Sequence, residues 1–143
     1  MLTGPLDTAL IGKAGKWLQA LGKEFNFSQT DLYRIELCIG ELVTNVVRYS
    51  DPRYANQPVE LHAVIEEKRA VLSLIDPAAP FDPLSFRPPP AAKTIEEMQV
   101  GGQGIHLVRE FSDAFRYERR ENKNRLELVF NLELPTIAKS MTV

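Results

Sequence analysis

At 143 residues, with 44% hydrophobic and 25% charged side chains, the chain is sized for one soluble domain around a single core. Its formal net charge of −2, with Lys and Arg dispersed, lacks the basic stripe of a phosphate-backbone binder, so no nucleic acid partner is expected. A single cysteine rules out an intrachain disulfide or a cysteine-cluster metal site, and no apolar run suits a membrane span or a signal segment, so the expected location is cytoplasmic.

Leu6, Leu10, Ala14, Trp17, Leu18, Leu21 and Phe25 recur at three- and four-residue steps, which predicts an amphipathic helix with Pro5 at its first position. Residues 22–28 break the pattern. Ser28 and Asp31 form an S-x-x-D capping box, and a second helix follows with Leu32, Ile35, Ile39, Leu42, Val43, Val46 and Tyr49 as its core stripe. Cys38 lies within this apolar pattern and reads as a buried small hydrophobe rather than a nucleophile. Ser50-Asp51-Pro52 ends the helix, because proline biases its predecessor away from helical geometry.

The period then switches to two. Val59, Leu61, Ala63 and Ile65 alternate with polar residues, Glu67-Lys68-Arg69 reads as a turn, and an apolar strand over 70–75 runs up to Asp76, so the two strands form a hairpin. Six prolines between 77 and 90 exclude both helix interior and central strand. The aperiodic stretch over about 77–102, with at most one helical turn near 94–98, is expected to be a functional lid. Gly101-Gly102-Gln103-Gly104 leads into a short helix carrying Ile105, Val108 and Phe111. Two closing strands follow near 115–119 and 125–132, joined by a turn at Glu121-Asn122-Lys123-Asn124. This order gives one α+β domain over 1–143, a two-layer sandwich whose mixed sheet of four or five strands is covered on one face by three helices.

Three constellations could carry chemistry. Glu41, Asn45 and Arg48, spaced four and three apart, stack on one helix face beside the apolar stripe. A carboxamide oxygen is a hard metal ligand and a nearby carboxylate can deprotonate a hydroxyl, although such a face can equally be ordinary solvated helix. Asp76 emerges from an apolar strand into a loop, where it can accept from a ligand amino group or cap the loop's own amides. The glycines at 101, 102 and 104 stand at a helix start, where backbone amides and the dipole favour an anion, or where a lid hinges.

Taken together, these motifs resemble the GHKL (histidine-kinase-like) ATPases. Glu41-Leu42-Val43-Thr44-Asn45-Val46-Val47-Arg48 is similar to the superfamily's N box, residues 76–82 fall at its first glycine box, and residues 100–109 resemble its second. Phe81-Asp82-Pro83 and the stretch Phe115-Arg116-Tyr117-Glu118-Arg119-Arg120 narrow the resemblance to anti-sigma-factor serine kinases of the partner-switching type, over most of the chain. The resemblance implies the Bergerat-type ATP-binding fold with ATP and Mg2+ as cofactors. It also implies Asn45 as metal holder, Glu41 as catalytic base and Asp76 as acceptor from the adenine amino group. Ala78 and Phe81 would then lie at the base pocket, and Gly101, Gly102, Gln103, Gly104 and Ile105, with Arg48, on the phosphate side. The implied partners are an anti-anti-sigma protein, phosphorylated on serine, and a sigma factor. Ala78 stands where the family's first glycine is expected, Tyr49 where it commonly has histidine, and Asn124-Arg125-Leu126 where relatives often carry a threonine. A second reading is therefore a catalytically inactive binding module on the same fold. A two-component histidine kinase domain fits less well, since His62 and His106 fall on a strand and within the glycine box. Relatives usually begin with an extra strand, whereas this chain reads as starting at the first helix. That leaves a sheet edge to be covered by a partner, with a homodimer as one candidate.

Overall fold

The computed structural model describes residues 1–5, 8–48, 57–77 and 102–133. Five strands and three helices are present among them: β1 (Leu2–Pro5), α1 (Ala9–Glu24), α2 (Gln29–Arg48), β2 (Pro58–Glu66), β3 (Arg69–Asp76), α3 (Gly102–Phe111), β4 (Ala114–Arg120) and β5 (Lys123–Asn131). The strands form one sheet in the order β1-β2-β3-β5-β4. Every pairing is antiparallel, where a mixed sheet was expected. The reason lies in where the last hairpin folds. The α3 crossover leaves β4 running in the same direction as β3, but β5 turns back between them, so no two parallel strands share hydrogen bonds.

The N-terminus departs from expectation. Residues 2–5 form a strand against β2, with Leu2 opposite Leu61 and Pro5 opposite Pro58, and α1 begins only at Ala9. Pro5 is thus a strand residue and not a helix start. Proline suits this place because β1 is an edge, where one side of the strand donates to nothing. Gly4 allows the close approach, since a methyl group there would come within 3.2 Å of the Leu10 side chain. The edge of β2 is therefore covered by the chain itself, and the ground for a second copy at that edge falls away.

Local sequence explains the helix ends. α1 stops where Asn26 takes a left-handed φ of 54°, and the Phe27 amide donates back to the Gly22 carbonyl at 2.9 Å, the long bond of a Schellman end. α2 starts as the capping box requires, with the Asp31 amide donating to Ser28 Oγ at 3.1 Å. Residues 49–52 lie outside the described residues, so the expected proline stop has no structural counterpart here.

The alternating strand residues face the helices in cross-strand rows. Ala63, Leu72, Leu128 and Phe115 make one row, and Leu61, Leu74, Leu126 and Tyr117 the next. They meet Leu10, Ala14 and Leu18 of α1, Ile35, Cys38, Ile39, Leu42 and Val43 of α2, and Val108 of α3 in one core. Cys38 is fully buried, as the apolar pattern implied.

Arg34 ties the layers together at one end. Its Nε donates to the Phe111 carbonyl at the end of α3 (3.1 Å), and its Nη1 to Asp31 Oδ1 and the Asn131 carbonyl (both 3.3 Å). Nη2 donates to Asp113 Oδ2 at 2.9 Å, and the guanidinium lies over the Phe130 ring. The buried Asp31 also accepts from the Glu133 amide at 2.7 Å, and Asp113 from the Asn131 amide at 2.6 Å.

Loss of this knot is measurable. Replacing Arg34 by Leu leaves Asp31 buried without its cation and should cost about 2–4 kcal/mol in urea unfolding, and Lys should not restore it because one ammonium cannot span these acceptors. Partial burial raises the Asp113 pKa, but the Asn131 amide and Arg34 outweigh it and hold the carboxyl below the ordinary aspartate range. A lowered folded pKa stabilises above the unfolded value and is lost as pH falls through the folded one. Thermal melts of D113N should therefore fall below wild type at pH 7 and converge with it as pH falls through the lowered folded-state value.

Candidate functional site

The Arg34 knot fixes which ends of the elements meet. β5 ends and α3 ends at the knot, so β3, antiparallel to β5, finishes at the far end. α2 enters at the knot and leads away from it. Residues 34, 38, 41, 45 and 48 follow a four-three spacing, so one stripe of α2 carries Arg34, Cys38, Glu41, Asn45 and Arg48 in succession. At about 1.5 Å per residue, Glu41 to Arg48 lie roughly 10–20 Å from Arg34, and the start of α3 lies roughly 14 Å from its end. The α2 stripe, the first turn of α3 and the end of β3 thus all lie on the side of the domain away from the knot.

Cys38 reports the same ordering electrostatically. Burial pushes its thiol up to about 12; Arg34 on one side opposes the rise and Glu41 on the other adds to it. Glu41 and Asn45 are half-buried and Arg48 is exposed, and among the described residues none of the three makes a side-chain hydrogen bond or ion pair. α3 begins at Gly102, so Gly102, Gln103 and Gly104 are its first helical turn and not a loop before it. Its leading amides lack intrahelical acceptors, which suits an anion. Ile105 is buried at 2% exposure, placing it in the helix packing. Ala78, Phe81, Gly101 and the expected lid lie outside the described residues.

Asp76 is the last residue of β3 and faces the helix layer, buried at 4% exposure. A buried carboxylate is costly unless it accepts hydrogen bonds. Asn124 supplies one: its Nδ2 donates to Asp76 Oδ1 at 3.1 Å. The turn expected over 121–124 is in fact two residues. Glu121 and Asn122 take φ of 54° and 60°, Arg120 pairs with Lys123, and β5 already contains Asn124. Two-residue turns of this hand match strand twist, so the strand reaches back further than its charges suggest. Asn124, itself buried, lies in the stretch where relatives often carry a threonine, but the sequence reading placed it in the turn rather than in the strand. Its signal was present, because the inward set Leu126, Leu128 and Phe130 extends by alternation to position 124.

Comparison with known proteins shows the family. A family model for the histidine kinase-like ATPase domain matches residues 4–130. The chain belongs to that family. It is 30% identical over 114 residues to the serine/threonine-protein kinase BtrW of Bordetella bronchiseptica, covering 78% of this chain and 79% of that one. It is 22% identical over 116 residues to the serine-protein kinase RsbW of Halalkalibacterium halodurans, covering 78% and 70%. The nucleotide-free catalytic domain of histidine kinase ThkA superposes with a TM-score of 0.56 at 14% identity, over 94% of this chain and 98% of that one, which shows a shared fold. Among the described residues no three His, Cys, Asp or Glu side chains gather to hold a metal, and no helix is long and apolar enough to cross a membrane.

The burial of the stripe is testable. At pH 8 the native thiol of Cys38 should react with Ellman's reagent only as fast as the protein unfolds, and within seconds once guanidinium is added. Immediate labelling of the folded protein would contradict the packing.

Proposed function

We propose that the chain is an ATP-binding serine/threonine protein kinase of the anti-sigma-factor, partner-switching type, acting in the cytoplasm on a serine of an anti-anti-sigma protein, with a sigma factor as its further partner. The observation that carries the reading is that Glu41 and Asn45 on α2, the α3 N-terminus and the buried Asp76 at the end of β3 all lie away from the Arg34 knot, in a chain similar to two named protein kinases.

The residues fit such a ligand. Asp76 is a buried acceptor suited to an exocyclic amino group, and the first turn of α3 offers amides to phosphate oxygens. Asn45 is a single neutral oxygen ligand. That matches Mg2+, which keeps waters and substrate phosphates in its shell and does not need an all-protein cage. ATP supplies the transferred phosphoryl group, and Mg2+ supplies charge neutralisation. Glu41, one helical turn before Asn45, accepts the proton of the serine hydroxyl as that oxygen bonds to the γ-phosphorus and the bond to the β–γ bridging oxygen breaks.

Two substitutions separate binding from chemistry. Calorimetric titration should show Mg2+-dependent ATP binding that weakens at least about tenfold in N45A. E41Q should keep the ATP affinity within about threefold while transfer to a serine-bearing partner falls by about 10²–10⁴. Unchanged affinity in N45A would sink the metal assignment. ATP binding with no phosphate ever appearing on a partner would turn the conclusion to a regulatory binding module.

A further inference from the structure

The face of the sheet turned away from the helices carries a cavity of about 250 Å³ lined by Glu60, Ile75, Arg120, Glu121, Lys123 and Arg125. Strand alternation builds it. Leu61, Leu74 and Asn124 point toward the helices, so Glu60, Ile75 and Arg125 point outward, and the register sets Ile75 opposite both Glu60 and Arg125. Arg120 and Lys123 face each other in the next outward row, beside the two-residue turn that contains Glu121. Ile75 is only 8% exposed, yet it is not part of the core between sheet and helices, so it forms an apolar floor inside a charged rim.

The positive charge of that rim is unpaired. Among the described residues, Arg120, Lys123 and Arg125 make no side-chain hydrogen bond or ion pair. Acceptors are close at hand: Glu118 is directly opposite Arg125, and Glu60 instead meets His62 Nε2 at 3.4 Å. Other cations of the same sheet face do find partners, Arg69 with Glu66 at 2.7 Å and Arg116 with Glu127 at 3.9 Å. Three free cations around one apolar side chain therefore set this cavity apart from the rest of the open face.

We propose that this cavity docks an acidic segment of a protein partner, in which carboxylates flank an apolar side chain. The apolar side chain covers Ile75, and the carboxylates accept from Arg120, Lys123 and Arg125 in charge-assisted hydrogen bonds. Glu60 and Glu121 on the same rim repel a dense polyphosphate, and so does the net charge of −2, which makes a nucleic acid backbone the poorer match. Asp76 and Asn124 face the other way, so an occupant here leaves the helix-covered side of the sheet free. Docking at this face needs no bound nucleotide.

The test is a titration of the nitrogen-15-labelled full chain with the acetylated peptides EELEE, EEAEE and KKLKK, followed by amide chemical shifts. EELEE should move the amides of Glu60, Ile75 and residues 118–125 saturably, and KKLKK should move none of them. EEAEE should bind at least about threefold more weakly, because less apolar surface is buried on Ile75. Loss of charge-assisted bonds predicts that R125E binds EELEE at least about tenfold more weakly. Absent shifts with EELEE, equal binding of KKLKK, or unchanged affinity in R125E overturns the proposal. Should R125E fail to fold, unchanged affinity in R120E, at an exposed position, overturns it. Tighter binding of pyrophosphate than of EELEE overturns it in favour of a small-anion site. A second copy as occupant would show in light scattering as a dimeric wild type and a monomeric R125E, and that result overturns it as well.

Discussion

The seating of the helix layer on the sheet depends on one guanidinium. Arg34 bonds to the end of α3, to the end of β5 and to two carboxylates, and so sets the depth at which the helix layer sits on the sheet. No other residue type does this. Five N–H donors in a rigid fork satisfy separate acceptors in fixed directions, whereas an ammonium offers a point charge on a flexible stem. With that end fixed, helices and strands of known rise carry the geometry to the other end. The site is placed by the knot without containing it.

Much of this was legible in the sequence because periodicity reports burial. The α1 and α2 stripes, the β2–β3 hairpin, the short third helix and the final hairpin follow from spacing, and the S-x-x-D box at Ser28 and Asp31 caps α2 as read. What periodicity could not show was the strand at 2–5. Four residues are too few to display alternation, and Pro5 also suits a helix start. Strand pairing decided it, since β2 offered an edge and Gly4 allowed the chain to lie beneath Leu10. The pairing sense of the sheet was hidden for a related reason. It depends on where a hairpin folds back, and no local pattern encodes that.

The site was legible in proportion to how local its parts are. Glu41, Asn45 and Arg48 share a helix face by spacing alone, and Asp76 stands out as a charge ending an apolar run. The strand placement of Asn124 was masked by its neighbours. Glu121-Asn122-Lys123-Asn124 is a polar run that reads as turn throughout, yet two residues with positive φ complete the turn and return the other two to the strand. Tyr117 and Arg119, which donate to Asn124 Oδ1, have meaning only once β4 is known to lie beside β5. Arg34 was missed for the same reason, because its partners other than Asp31 are separated from it by 77 to 97 residues.

The two ends of the α2 stripe differ in how their polar groups are bonded. At the knot, polar groups are mutually satisfied: Asp31 accepts from Arg34 and from the Glu133 amide, and Asp113 from Arg34 and the Asn131 amide. Toward the other end of the same stripe, Glu41, Asn45 and Arg48 make no such bonds among the described residues. Buried Cys38 stands between the two halves, raised in pKa by burial and sensing a cation on one side and a carboxylate on the other. Along α2, the bonds that set its register on the sheet are thus concentrated at the knot.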